Sequence, residues 1–286
     1  MRIRLMMLAC LFPAAAFAFD FGKLDISNLI DGVKNTADAL HKATPAEEQE
    51  IGSSAASLLL GAAPLVASPA LQQYVNQVGM WIVKQSEQHT MMFHFGVIDS
   101  PNINAFTTPG GYILLTKGLF DTFRNEAELA GVLAHEITHT LKRHHMQAIE
   151  SGKWQKVGGN VAKASADNVK NSAASQLVSL SSRGALELFV RGLDKGDEFE
   201  ADIGGMVLAA RAGYNPYGLV SVLQTLGSIN PAEGTVALMF STHPSPSDRL
   251  NTIENVIGDK LENYAGGVES TKRFQTIKAS LGAAKK

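Results

Sequence analysis

Residues 133–145, LAHEITHTLKRHH, set the tightest condition on any fold this chain can adopt. Four of the eight histidines and a carboxylate fall inside a run with helical periodicity, and such groups are not buried without partners. His135 and His139 are four residues apart, about 40° around a helix, so both rings leave one face. Glu136 lies about 100° further round, near enough to reach a water on an ion held by that pair. Leu129, Val132 and Leu133 make the same helix apolar enough for the interior. This is the H-E-x-x-H spacing, in which two imidazoles bind zinc and the carboxylate takes a proton from the zinc-bound water.

A catalytic zinc takes a third protein ligand and keeps one position open. His145 is near in sequence, but to return to the ion the chain would have to break out of the helix. Position 142 is lysine and nothing nearby is a breaker. In a continuing helix His145 and His144 lie about 80° and 180° from His135 and are expected to form a polar, partly exposed helix end. The better candidate is GDEFEAD, which places Glu198 and Asp202 four apart on one helical face. Glu198 is the expected third ligand. Asp202 is expected to accept a ring N–H from a liganding histidine and fix its tautomer. Glu200 is expected to face solvent. Alone, such an acidic pair is more often a charged helix face; its weight comes from supplying what the first motif lacks.

Elsewhere the chain is ordinary for a globular protein: 286 residues, 45% hydrophobic, 18% charged and a formal net charge of −2. That balance gives no reason to expect a nucleic-acid partner. Residues 1–18 read as a secretory signal peptide, with Arg2 and Arg4 ahead of an apolar run and a small-x-small site ending at Ala18. Its removal takes both arginines and the only cysteine, Cys10, so the formal charge becomes −4 and any metal site must use His, Asp or Glu. The chain is therefore expected to be secreted, to the periplasm, with lipoprotein anchoring at Cys10 the weaker alternative. No later segment is expected to span a membrane.

The expected organisation is a signal peptide (1–18), an N-terminal helical segment (19–50), one domain (51–265) and a C-terminal tail (266–286). Ser68-Pro69, Asn125 with Glu128, and Ser245-Pro246 are helix starts, the second as a reciprocal capping box. MMFHFGVID and GYILLT are short strands, with Asn104-Ala105-Phe106 a candidate edge between them. Residues 151–196, rich in Gly, Ser and Ala, are expected to form either a mobile cover over the cleft or a poorly ordered connection.

H-E-x-x-H followed by E-x-x-x-D in a later helix resembles the zinc metallopeptidase family that includes the CAAX prenyl protease and HtpX. NAFTTPGGYILLTKGLF (104–120) is similar to that family's strand–turn–strand ahead of the active-site helix, and STHPSPSDRL (241–250) to its His-Pro and Arg segment. With its signal peptide the chain resembles the soluble periplasmic BepA- and LoiP-like branch, and too few residues follow the core for BepA's tetratricopeptide domain to be expected.

The resemblance implies an α+β, predominantly helical fold: a zincin-type metallopeptidase core of the gluzincin kind, with a small β-sheet and an active-site HExxH helix. It implies one Zn2+ per chain on His135, His139 and Glu198, Glu136 as general base, and Asp202 behind them. His243 is placed over the zinc, as an inhibitory fourth ligand or a stabiliser of the oxyanion. Arg249 is the other oxyanion candidate, with a structural carboxylate pair as its alternative role. Asn104, Ala105 and Phe106 are expected to take an extended peptide by strand addition. The implied function is a zinc-dependent endopeptidase acting on misfolded or unassembled envelope proteins, with polypeptide substrates and envelope or outer-membrane assembly partners. The alternative is a periplasmic chaperone or assembly factor with a latent or inactive protease site.

Overall fold

The computed structural model describes residues 43–151 and 193–283, apart from 232, 237, 238, 241 and 242. The signal peptide, Cys10, most of the 19–50 segment and nearly all of the expected cover at 151–196 lie outside the described residues.

The first helix, α1 (Pro45–Ala62), starts at a complete capping box. Thr44 Oγ1 accepts from Glu47 N, and the Glu47 carboxylate accepts from Thr44 N at 2.7 Å. The expected boundary after residue 50 falls inside this helix. Helix α2 (Pro69–Val83) begins where Ser68-Pro69 indicated, with Ser68 Oγ accepting from Leu71 N. Three strands follow: β1 (His94–Ile98), β2 (Ala105–Thr108) and β3 (Tyr112–Thr116), in the order β1-β3-β2. β1 and β3 are parallel, with His94 opposite Tyr112. β2 and β3 are antiparallel, with Ala105 opposite Leu115, so β2 is an edge strand.

Period-2 alternation divides the strands between two apolar clusters. Phe95, Val97, Ile113 and Leu115 enter the main core with Leu71, Val75, Val78 and Ile82 of α2. Ile98, Phe106 and Leu114 point the other way, onto Leu59 of α1 and Ala63 just after it. The sheet is thus covered on both faces.

After the short α3 (Lys117–Thr122) comes α4 (Glu126–Leu141), the helix that carries H-E-x-x-H. Every residue from Glu126 to Thr140 is buried, which makes α4 the axis of the domain. Its N-cap differs in part from expectation. Asn125 Oδ1 accepts from Glu128 N at 2.9 Å, but the Glu128 carboxylate takes Arg124 N at 2.7 Å and Arg124 Nε at 2.8 Å instead of closing the box.

The remaining elements are α5 (His144–Glu150), α6 (Lys195–Arg211), α7 (Gly218–Gly227), α8 (Pro246–Val256) and α9 (Lys272–Ala283). Helices α6 and α7 pack along α4, and α8 lies against both. The residues expected as a tail contain α9. Its Phe274, Ile277 and Leu281, at helical spacing, sit in the main core. Among the described residues no helix is long and apolar enough to cross a membrane.

Candidate metal centre

Helix α4 presents His135 and His139 one turn apart, both buried, with their Nε2 atoms 3.1 Å from each other. Helix α6 brings Glu198 to the same point, with Oε2 3.8 Å from His135 Nε2 and Oε1 3.7 Å from His139 Nε2. The three form a cluster able to bind a metal ion. Two ligands at tetrahedral angles on zinc stand roughly 3.3 Å apart, since each bond is about 2.0–2.1 Å. The observed spacings fit a single ion without rearrangement of either helix.

The charge states suit that purpose. Burial drives His139 well below the usual imidazole range, keeping the ring neutral with a lone pair to offer. Burial alone would raise the Glu198 carboxyl, but the charge and hydrogen bond of His243, with help from His139 and His135, hold it well below its ordinary value.

The first positioning contact is Asp202, one turn beyond Glu198 on α6. Its Oδ1 lies 3.0 Å from His135 Nδ1. A proton on Nδ1 then donates to Asp202 and turns the Nε2 lone pair toward Glu198. Arg249, from α8, forks onto the same carboxylate: Nε to Oδ2 at 2.9 Å and Nη2 to Oδ1 at 2.5 Å. Asp202 is buried, which opposes ionisation, yet Arg249 keeps it below the ordinary range. Of the two roles expected for Arg249, the carboxylate pair is present, and the residue also lines the pocket with Glu136 and His243.

Glu136 stands beside the cluster on α4. Thr107 Oγ1 of β2 donates to its Oε2 at 2.5 Å, an anchor the sequence did not reveal. His243 Nδ1 lies 2.7 Å from Glu198 Oε2, and its ring lines the open space on both sides of the centre. Beside the centre a largely apolar pocket is walled by Val132, Leu219, Val222, Leu223, Leu226 and Met239. Asn104, just before β2, and Ala105, its first residue, also line it, while Phe106 packs against α1.

Strand β2 offers its free edge here. Asn104 O accepts from Thr116 N at 3.0 Å, so antiparallel alternation turns the backbone groups of Ala105 and Thr107 away from β3. The Asn104 side chain already accepts from Ala105 N at 3.0 Å.

One expectation is overturned. His144 and His145 are not an exposed helix end; they are 1% and 8% exposed. The helix stops at Leu141 because Arg143 adopts the left-handed conformation (φ 57°, ψ 31°), and a new helix starts at His144. Arg143 is held there by Glu48 at 2.7 Å (Nε) and Glu150 at 2.9 Å (Nη2). The reversal carries both histidines back under His139, where burial pushes His145 down to about 3. Glu200, expected to be solvated, is half-exposed and bonded to Lys142 and His144.

A buried pair of imidazoles one turn apart, completed by a glutamate from a second helix with another glutamate alongside, is the arrangement of a zincin-type metallopeptidase. The chain belongs to peptidase family M48, which it matches over residues 69–257. It is 30% identical over 249 residues to the beta-barrel assembly-enhancing protease of Yersinia pestis, a match covering 85% of this chain and 50% of that protein. To the protein of the same name in Escherichia coli (strain K12) it is 31% identical over 215 residues, 73% of this chain and 43% of the relative. Identity to the mitochondrial metalloendopeptidase OMA1 of Arabidopsis thaliana is 32% over 193 residues, 63% of this chain and 37% of the relative. The chain thus spans half or less of the length of these relatives.

Proposed function

We propose that the protein is a zinc-dependent endopeptidase of the cell envelope that cleaves misfolded or unassembled polypeptides. His135, His139 and Glu198 hold the ion, and Glu136 is the general base. The observation that carries this reading is the meeting of two imidazole nitrogens and a carboxylate within 3.1–3.8 Å, from helices far apart in sequence, with Glu136 alongside. A zinc ion held there supplies Lewis acidity to a water and to the scissile carbonyl.

Each neighbouring side chain then has a task. Thr107 fixes one oxygen of Glu136, leaving the other to take a proton from the attacking water and pass it to the leaving amine. Asp202 fixes the tautomer of His135, and Arg249 fixes Asp202. His243, bonded through Nδ1 to Glu198, stands where it can either stabilise the developing oxyanion or cover the open position. The outward backbone groups of β2 align an extended chain, and the apolar pocket beside them takes one of its side chains. A chaperone using the same cleft would have no need of a base at Glu136. The envelope setting rests on the signal-peptide pattern and on the names of the bacterial relatives.

The test is zinc quantification beside cleavage of an unfolded protein such as casein. Glu136→Gln is expected to keep one zinc per chain while slowing cleavage about 10²–10⁴-fold; undiminished cleavage by that variant overturns the assignment. For His243→Ala, raised activity identifies a cover and abolished activity a direct role.

A further inference from the structure

Two buried rings beside the centre, His144 and His145, have no part in the scheme above. His144 lies almost wholly inside, with Nδ1 2.9 Å from Nδ1 of His139 and Nε2 3.3 Å from Glu200 Oε2. Two imidazoles at that separation share one proton, so one ring donates and the other accepts. The far nitrogen of His139 settles which. Its Nε2 faces His135 and Glu198, and to offer a lone pair there the ring must carry its proton on Nδ1. His139 therefore donates to His144. The remaining proton of His144 then sits on Nε2 and points at Glu200, whose other oxygen is 2.6 Å from Lys142 Nζ at the surface.

We propose that His144 is a positioning residue for His139, the counterpart of Asp202 behind His135, and that it sets the His139 tautomer through a hydrogen-bond chain ending at Glu200. The inference rests on the reading of His139 as a zinc ligand. Both ligand rings on α4 are then oriented from behind, one by a carboxylate and one by a neutral imidazole that is itself oriented by a carboxylate. The arrangement depends on the left-handed turn at Arg143. In a continuous helix His144 would lie about 140° round from His139, facing away from it. Partners behind liganding histidines of this kind change metal affinity about 10–100-fold when removed.

The test compares His144→Leu, which fills the space without an acceptor, with His144→Asn, whose amide oxygen falls near the place of Nδ1. Zinc affinity is measured by competition with a chromophoric chelator, and thermal unfolding is measured on the metal-free proteins. His144→Leu is expected to weaken zinc about 10–100-fold, and His144→Asn to recover most of that loss, although the two metal-free proteins melt alike. Glu200→Gln, at a half-exposed position, is expected to weaken zinc by a smaller factor and serves if His144→Leu fails to fold. Wild-type affinity in both His144→Leu and Glu200→Gln overturns the proposal while leaving the zinc site intact. An equal loss in the leucine and asparagine variants, following the melting temperature, also overturns it and reduces His144 to packing. A wild-type protein that binds no zinc overturns both this proposal and the reading on which it rests.

Discussion

The residue on which the geometry of the centre turns is a glycine with no chemistry of its own. A Cβ on Gly205 of α6 would stand 2.8 Å from the backbone nitrogen of His135 and 2.9 Å from its Cα. Helix α6 can lie this close to α4 only because nothing projects there, and that closeness lets Glu198 reach the two imidazoles. Gly196, in the same helix, has no packing neighbour within 4 Å of its would-be Cβ among the described residues. Gly205→Ala is therefore expected to cost about 1–3 kcal/mol of stability and to weaken zinc binding, while Gly196→Ala leaves zinc binding unchanged and does not lower stability. Denaturant unfolding and zinc competition on the pair check this, and equal behaviour of the two would show that close approach at Gly205 does not set the site. H-E-x-x-H and E-x-x-x-D were legible in the sequence because each is a local spacing on one helix. The glycine contact was not, since GG in a helix reads only as poor propensity until its neighbour is known.

Among the elements, α4 depends on how it is entered. Glu126, its first residue, is fully buried, yet accepts from Tyr74 at 2.8 Å, Tyr214 at 3.0 Å, Thr271 and Arg273. This cluster ties the start of the active-site helix to α2, to the segment after α6 and to the start of α9. Burial opposes the charge on Glu126, but Arg273 and the three hydroxyl donors outweigh it and lower the carboxyl below its ordinary value. A carboxyl lowered in the folded state stabilises it above the unfolded value, about 4.3, and that stabilisation is lost as pH falls through the lower folded value. Glu126→Gln is thus expected to cost about 2–4 kcal/mol near neutrality. The gap in melting temperature from wild type should narrow as pH drops from about 5 toward 3. A gap constant across that range would mean that the charge of Glu126 contributes nothing to stability. At this scale the sequence indicated helix starts well, because Ser68, Asn125 and Ser245 cap through the nitrogen three residues on. It did not show the end of α4. Leu141-Lys142-Arg143 contains neither glycine nor proline, and the left-handed turn is held by Glu48, about a hundred residues earlier.

For the molecule as a whole, the expected partition put the domain's end before α9, yet α9 belongs to the core. Phe274, Ile277 and Leu281 are buried there, each contributing roughly 1.5–3 kcal/mol. Together they are comparable with much of the ~5–15 kcal/mol by which a domain is stable. A chain ended at Ser270 loses these together with the Thr271 and Arg273 contacts to Glu126, and is expected to unfold at far lower urea than the full chain. An unchanged urea midpoint would return α9 to the status of a tail. The sequence by itself determined which residues cluster, the helices that carry them and the short strands, because each follows from spacing and periodicity within some ten residues. Only the tertiary structure decided that α6 meets α4 at backbone contact, that His144 turns back beneath His139 and that Arg249 is held by Asp202. Those outcomes come from packing and charge pairing between segments tens of residues apart, where local propensity says nothing about which surfaces meet.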